Sequence, residues 1–332
     1  MAVVHFLNVG EGDCSVIYHD TGNVTVIDLC NAHGLIKSAT PNYLSRSLLG
    51  GIGNYNQRNN STNPIQYMKT FGHNRVFRFI LTHPDMDHMD GLVDFFQEFQ
   101  PINFWDIANN KTVSKADLAK SKFDERDWSY YQSIRCKSSE PTTLKYYAGT
   151  ENKYFNKDDY GSNGDGLYVL APFKDLVDAA NQQKNNDYND YNDCSYVLMF
   201  VNQGRKIIFA GDSHDETWEK ILADDFVYRK HIEEIDVLIA PHHGRKSGRD
   251  FSFLDILKPK LTLFGIAPSE HLAYDAWNQR KFMKITNYQA GNIVMNISQE
   301  RIDIYVEKES HAKNFNNYRY EISFMAYNIG WI

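Results

Sequence analysis

Thr82-His83-Pro84-Asp85-Met86-Asp87-His88-Met89-Asp90-Gly91 decides how the rest of this chain is read. Positions 83–88 carry two imidazoles and two carboxylates, at i, i+2, i+4 and i+5. The apolar run Val76-Phe77-Arg78-Phe79-Ile80-Leu81 before them reads as a strand, and residues 92–99 after them have helical spacing. Four hard donors in six positions at a strand end point to divalent metal binding.

Two other strand ends carry side chains of the same kind. Lys206-Ile207-Ile208-Phe209-Ala210 stops at Gly211-Asp212-Ser213, and Ile235-Asp236-Val237-Leu238-Ile239-Ala240 stops at Pro241-His242-His243-Gly244. In open α/β sheets the residues just past strand C-termini gather along one edge. Three such ends can therefore build one site for two metals, with Asp212 placed to bridge them.

Further strands are expected at 3–9, 14–18, 24–29, 103–107, 166–172, 195–201, 260–265, 293–297, 301–306 and 320–325. Helices are expected at 64–71, 126–134, 174–184, 214–226 and 251–257. Ser213 with Glu216 fits a capping box for the helix after Asp212. Weak patterning at about 31–70, with the loop composition Gly50-Gly51-Ile52-Gly53-Asn54, reads as an insertion. The polar stretch at about 109–159 reads as a second, and its lysines (Lys111, Lys115, Lys120, Lys122) as a solvated face before a substrate-binding strip. Residues 1–332 are expected to form a single domain, with an extra strand region at about 300–332.

Composition narrows the partners. Net charge is −7, which excludes a global basic field and makes any nucleic-acid contact local. The four cysteines (Cys14, Cys30, Cys136, Cys194) lie far apart and suggest neither a zinc ribbon nor a disulfide framework. Cys14 and Cys30 read as buried thiols, which favours a reducing compartment. With no signal peptide and no membrane-length apolar run, a cytoplasmic location is expected.

The order HxDxDH, then strand-Gly-Asp-helix, then strand-Pro-His-His-Gly resembles the metallo-β-lactamase-fold hydrolases. Within them the chain looks most like the soluble nuclease-type domain of the competence protein ComEC family. Phe6-Leu7-Asn8-Val9-Gly10-Glu11-Gly12-Asp13, Val26-Ile27-Asp28 and Asn192-Asp193-Cys194-Ser195-Tyr196-Val197-Leu198 support the likeness. It implies an α/β fold, an αββα four-layer sandwich with two central mixed sheets and inserted segments. It also implies two divalent ions: His83 and Asp85 on one, with Asp193 as partner, and Asp87, His88 and one of His242/His243 on the other, Asp212 between.

Two departures from the family pattern matter. Asp85 stands where many relatives have histidine, and the usual third histidine of the first position has no obvious match. The oxygen-rich donor set shifts preference toward Mn²⁺ or Mg²⁺, with Zn²⁺ still suitable. It also suits a phosphodiester, whose developing charge two metals neutralise. Asp87, His243 and His271 are the candidate catalytic side chains, His271 as a proton donor to a leaving group. Arg245, Lys246 and Ser247 are the candidate phosphate clamp. Asp13 and Asp28 read as turn residues, and Asp90 as a cap for the following helix. The expected activity is a nuclease or phosphodiesterase on DNA or RNA. The alternatives are hydrolysis of a small molecule (a cyclic nucleotide, a phosphorylated headgroup, a lactam or thioester) and non-catalytic binding on a degenerate metal fold.

Overall fold

Alternating apolar residues sort themselves into two sheets that face each other. A computed structural model of the chain describes residues 1–34, 57–157, 164–182, 190–246, 249–267 and 271–332. Strands β1 (Ala2–Phe6), β2 (Ser15–Tyr18), β3 (Val24–Ile27), β4 (Arg78–Ile80), β5 (Asn103–Trp105) and β6 (Thr142–Leu144) enter the first sheet. Strands β7 (Leu167–Ala171), β8 (Val197–Asn202), β9 (Arg205–Phe209), β10 (Val237–Ile239), β11 (Leu261–Phe264) and β12 (Met283–Thr286) make the second. The chain then returns to the first sheet as β13 (Ile293–Ile297), β14 (Ile302–Val306), β15 (Arg319–Glu321) and β16 (Ala326–Trp331).

The strand orders are β15-β16-β14-β13-β1-β2-β3-β4-β5-β6 and β12-β11-β10-β9-β8-β7. Both sheets are mixed: β3 to β6 and β9 to β12 run parallel, and the remaining pairs run antiparallel.

Strand periodicity assigns each side chain a layer. Val4, Phe6 and Ile80 of the first sheet meet Leu198, Phe200, Phe209 and Ile239 of the second in the central core. On the outer face of the first sheet, Val26, Phe79 and Phe104 pack under helices α1 (Pro64–Thr70), α2 (Leu92–Phe99), α3 (Lys115–Lys120) and α4 (Glu125–Ile134). Helix α5 (Lys174–Asn181) adds Val177 and Ala180 to the central core. On the outer face of the second sheet, Ile208 and Leu238 pack under α6 (Asp215–Ile221), α7 (Leu254–Leu257) and α8 (Tyr274–Gln279). The result is an αββα four-layer sandwich, as the sequence implied. Burial of each large side chain such as Phe95, Phe99 or Trp218 contributes about 1.5–3 kcal/mol toward holding a helix on its sheet.

Several local expectations change. Within the segment expected as an insertion at about 109–159, β6 is the parallel edge strand of the first sheet and α4 packs on α2. Of the earlier insertion, residues 35–56, with the glycine-rich stretch, lie outside the described residues; 57–70 hold α1, capped by Asn63. Of the C-terminal strand expected at 320–325, residues 320–321 end β15 and 322–325 form the turn into β16. The capping box at Ser213 does not form: the residue before α6 is His214, and the Ser213 hydroxyl is buried without a hydrogen-bond partner. All four cysteines are free, and Cys14, Cys30 and Cys194 are buried. Among the described residues no helix is long and apolar enough to cross a membrane.

Candidate metal centre

The 82–91 loop leaves the C-terminal end of β4 and is stitched to the chain leaving β3 beside it. Leu29 N–H donates to the His88 carbonyl at 3.0 Å, and Asp90 N–H to the Leu29 carbonyl at 3.1 Å. Asp28, in left-handed backbone conformation at φ 56°, accepts from Thr82 N–H and Thr82 Oγ1, each at 2.7 Å. Its second oxygen also meets His88 Nδ1 at 2.9 Å. The turn after β1 presses from the other side. A Cβ on Gly12, at φ +142°, would lie 2.3 Å from the Asp87 carbonyl oxygen, so only glycine lets this turn bring Asp13 in.

The second sheet supplies the remaining donors from the ends of β9 and β10. Asp212 N–H donates to Ser195 Oγ at 3.2 Å, and His242 N–H donates to the Gly211 carbonyl at 2.9 Å. His242 and His243 both sit in the left-handed region, at φ 52° and 56°. Two such residues in succession cost about 1–2 kcal/mol each. This cost is carried where surrounding contacts over-determine the backbone. Buried Arg249 is one of those contacts: its guanidinium donates to the Ser213 carbonyl at 2.8 Å and the Arg245 carbonyl at 2.9 Å.

Asp212 is the centre of the arrangement. Its Oδ1 lies 3.4 Å from His88 Nε2. Its Oδ2 lies 3.6 Å from His242 Nε2, 3.8 Å from His243 Nε2 and 3.9 Å from His83 Nε2. Asp87 Oδ2 is 3.7 Å from His243 Nε2, and Asp85 Oδ2 is 3.7 Å from His83 Nε2. Behind the ring, His243 Nδ1 lies 3.0 Å from Asp13 Oδ1. Two donors each about 2.1 Å from one ion stand about 3–4 Å apart, so these separations suit ligation.

The buried polar atoms make the same point. His83 Nε2, His88 Nε2, His243 Nε2 and Asp212 Oδ1 are buried and have no hydrogen-bond partner among the described residues. Leaving such groups unsatisfied costs about 1–3 kcal/mol each. His83/His88/Asp212 and Asp87/His88/His243 each place three donor atoms within 4.8 Å of one another. The two triads overlap at His88, and the residues around it fit a divalent ion.

Protonation follows from charges facing each other in the interior. Burial works against a charged His88, yet the carboxylates of Asp212 and Asp28 hold its proton well above the usual imidazole range. His243 is likewise pushed up to about 10, by Asp13 and Asp212 against burial. Asp87 falls to about 2 because His243 and His88 outweigh its desolvation. Asp212 falls well below the usual carboxylate range through His88, His243 and His83. His242 goes the other way: burial lowers it to about 3, which leaves a neutral ring. A neutral imidazole is the form that ligates.

The structure brings His83, Asp85, Asp87, His88, Asp212, His242 and His243 together. Both members of the histidine pair turn toward Asp212. His243 reaches the Asp87 side, and His242 reaches the Asp212 oxygen shared with His83. Asp193 does not take the expected place beside His83 and Asp85. Its carboxylate accepts from the Thr217 hydroxyl at 3.2 Å, near the start of α6, and lies 3.9 Å from His214 Nδ1. His214 in turn meets His242 Nδ1 at 3.2 Å.

Other expectations move as well. His271 is exposed, its carbonyl accepts from Lys246 N–H at 2.6 Å, and among the described residues its ring joins none of the clustered donors. Arg245 and Lys246 follow the histidines as expected, and Ser247 lies outside the described residues. Asp90 is not the cap of α2. Asp127 of α4 accepts from Gly91 and Val93 N–H instead, while Asp90 accepts from Asn31 N–H and meets His33 at 3.0 Å.

Lys111 was expected on a solvated face, yet its ammonium is paired with Asp85 and its side chain is only 13% exposed. No pattern around Lys111 foretells this. Asp13 and Asp28 were read as turn residues; Asp28 hydrogen-bonds His88 Nδ1, and Asp13 lies 3.0 Å from His243 Nδ1. Their signal was present: each follows a strand that ends beside a ligand loop. A cleft of about 340 Å³ lies on the Asp90 side of the loop and is lined by none of the clustered donors; Glu11, Asn31, His33, Lys122 and Phe123 border it, with Lys122 paired to Glu11 at 2.6 Å.

No protein-family model matches the sequence, and no curated protein does. Solved structures of similar outline include Igni18, a metallo-hydrolase from the hyperthermophilic archaeon Ignicoccus hospitalis, at TM-score 0.44 and 12% identity over 89% of this chain and 100% of that one. A diphosphatase from the PhnP family has TM-score 0.44 and 12% identity over 90% and 98%. Unliganded yeast PDE1 has TM-score 0.40 and 13% identity over 86% and 97%.

Proposed function

We propose that the chain is a metal-dependent phosphodiesterase of the nuclease type, acting on DNA or RNA with two divalent ions. Mn²⁺ or Zn²⁺ are the first choices, with Mg²⁺ also compatible. The observation that carries this reading is the set of buried donor atoms without hydrogen-bond partners, facing one another across Asp212. Around those atoms the cluster offers three carboxylates (Asp85, Asp87, Asp212), which favour hard ions and a substrate whose own oxygens are charged.

Bound ions would supply Lewis acidity and a nucleophilic water at neutral pH. The chain's part is to fix the donors. Asp28 sets the ring of His88, and Asp13 sets the ring of His243, each through Nδ1, which leaves Nε2 facing inward. Asp212 offers one oxygen to His88 and the other to His83, His242 and His243, the placement of a bridging carboxylate. Arg245 and Lys246, next along the chain after the histidines, are the proposed contacts for substrate phosphate. The ComEC-like likeness agrees with this reading.

The alternative substrate on the same ions is a small phosphoester such as a cyclic nucleotide. One assay separates them. Purified protein with Mn²⁺, Mg²⁺ or Zn²⁺ is offered plasmid, single-stranded DNA, RNA, a cyclic nucleotide and bis-p-nitrophenyl phosphate. Cleavage of polymer, lost in an Asp87→Ala/His88→Ala variant, is the expected result. Turnover of the cyclic nucleotide alone would select the second reading, and activity that survives the double change would rule out both.

A further inference from the structure

Lys111 stands apart from the other lysines of its segment because its backbone is fixed from beneath. Lys111 N–H donates to Asn109 Oδ1 at 3.0 Å, and its carbonyl accepts from Arg135 at 3.3 Å. Asn109 is itself held: its amide donates to the Tyr131 hydroxyl at 2.7 Å, and its Oδ1 accepts from Arg135 at 2.7 Å. Tyr131 continues the chain to Asp106 Oδ1 at 3.1 Å. Asp106, Asn109, Tyr131 and Arg135 are all buried, so α4 and the end of β5 form a rigid base beneath Lys111. The ammonium is then delivered to Asp85 Oδ1, with the Tyr191 ring centroid 6.0 Å away.

Asp85 therefore does not have two oxygens available to an ion. Oδ1 is taken by Lys111, and only Oδ2 faces His83. On the other side of Asp212, Asp87 faces His243, and among the described residues no lysine or arginine pairs with it. We propose that Lys111 is a positioning residue which neutralises Asp85 and thereby divides the site into a strong metal position, at Asp87/His88/His243, and a weak one, at His83/Asp85. This rests on the metal-dependent reading above and adds the order in which the two positions fill. An ion approaching the weak position meets a carboxylate whose charge is already balanced. Competition with a charge-assisted pair of this kind is worth about a tenfold change in affinity.

The test is calorimetric titration of the metal-free full chain with Mn²⁺ and with Zn²⁺ alone, with bound metal counted independently by elemental analysis. Wild type should take one equivalent tightly and a second at least about tenfold more weakly. Lys111→Met should tighten the second equivalent by about tenfold and leave the first unchanged. Lys111→Arg, which keeps the charge, should leave the second weak. Two equally tight equivalents in the wild type would overturn the inference while leaving the metal reading intact. A Lys111→Met curve superimposable on wild type would overturn it in the same way. Binding of no ion at all would defeat the metal reading itself. Should Lys111→Met fold poorly, Lys111→Gln, which also removes the charge, carries the same comparison with Lys111→Arg.

Discussion

The two halves of the candidate metal centre are supported in different ways. On one side, His88 and His243 each have a buried carboxylate behind the ring, Asp28 at 2.9 Å and Asp13 at 3.0 Å. On the other, His83 Nδ1 faces the Thr82 hydroxyl at 3.1 Å, and His242 Nδ1 faces His214 at 3.2 Å. Asp85 there shares its charge with Lys111. A carboxylate behind an imidazole fixes its tautomer and raises its basicity; a hydroxyl or a second imidazole does this less. One half is thus preorganised for an ion, and the other has to be persuaded.

Removing the group common to both halves should have the largest effect. Asp212→Ala should abolish binding at both positions in a metal titration. It should also destabilise the metal-free protein by about 3–5 kcal/mol in denaturant unfolding, because buried imidazolium charge loses its counter-charge. Wild-type stability in that variant would mean the four imidazoles do not depend on Asp212.

Next come changes behind the rings. Asp28→Ala should cost about 10–100-fold in affinity for the first equivalent. His214→Ala should change either equivalent by less than about fivefold, since neutral His242 already presents its ligating form. Equal losses from the two changes would erase the contrast between the halves.

Proton traffic gives a finer probe. His243, raised to about 10 in the metal-free protein, must release its proton to ligate. Affinity at the strong position should therefore climb with pH from 7 toward 10, by about tenfold per unit for that one proton. His88, also held protonated, adds to the rise, and a flat profile between pH 7 and 9 would show that neither ring is a ligand.

The smallest expected effect lies in the base beneath Lys111. Asp106 is fully buried, and desolvation pushes its carboxyl up to about 7, against the opposing pull of Arg135. A raised carboxyl contributes stability that is complete below its unfolded pKa of about 3.9 and is lost as pH rises through about 7. Unfolding free energy should fall across that window. Asp106→Asn should flatten the profile without touching the strong metal position; an unchanged slope would assign the pH dependence elsewhere.

Much of the strong half was legible in the sequence because its donors are local. Asp87 and His88 are adjacent in one loop, and His243 and Asp212 close apolar strands with Gly or Pro beside them. The fold was legible for the same reason, since strands such as 206–210 and 235–240 are continuous apolar runs. What sequence could not show was pairing across long separations. Lys111 reaches Asp85 only because α4 buries Arg135 and Tyr131 below it, and nothing near Lys111 in the chain records that. Asp193 looked like a donor from its neighbours, but the start of α6 claims it through Thr217. Residues 283–286 and 326–331 were not foreseen as strands; the first begins with exposed Met283, and the second is broken by Asn328 and Gly330.

The position of β1 has a consequence for handling the molecule. Ala2–Phe6 is not an edge: it pairs with β2 on one side and with β13 on the other. Cutting away these few residues would therefore not trim the protein but remove a keystone. It would leave β2–β6 and β13–β16 as two unjoined half-sheets, each with a newly bare edge open to aggregation, and Asp13 would lose the strand that carries it to His243.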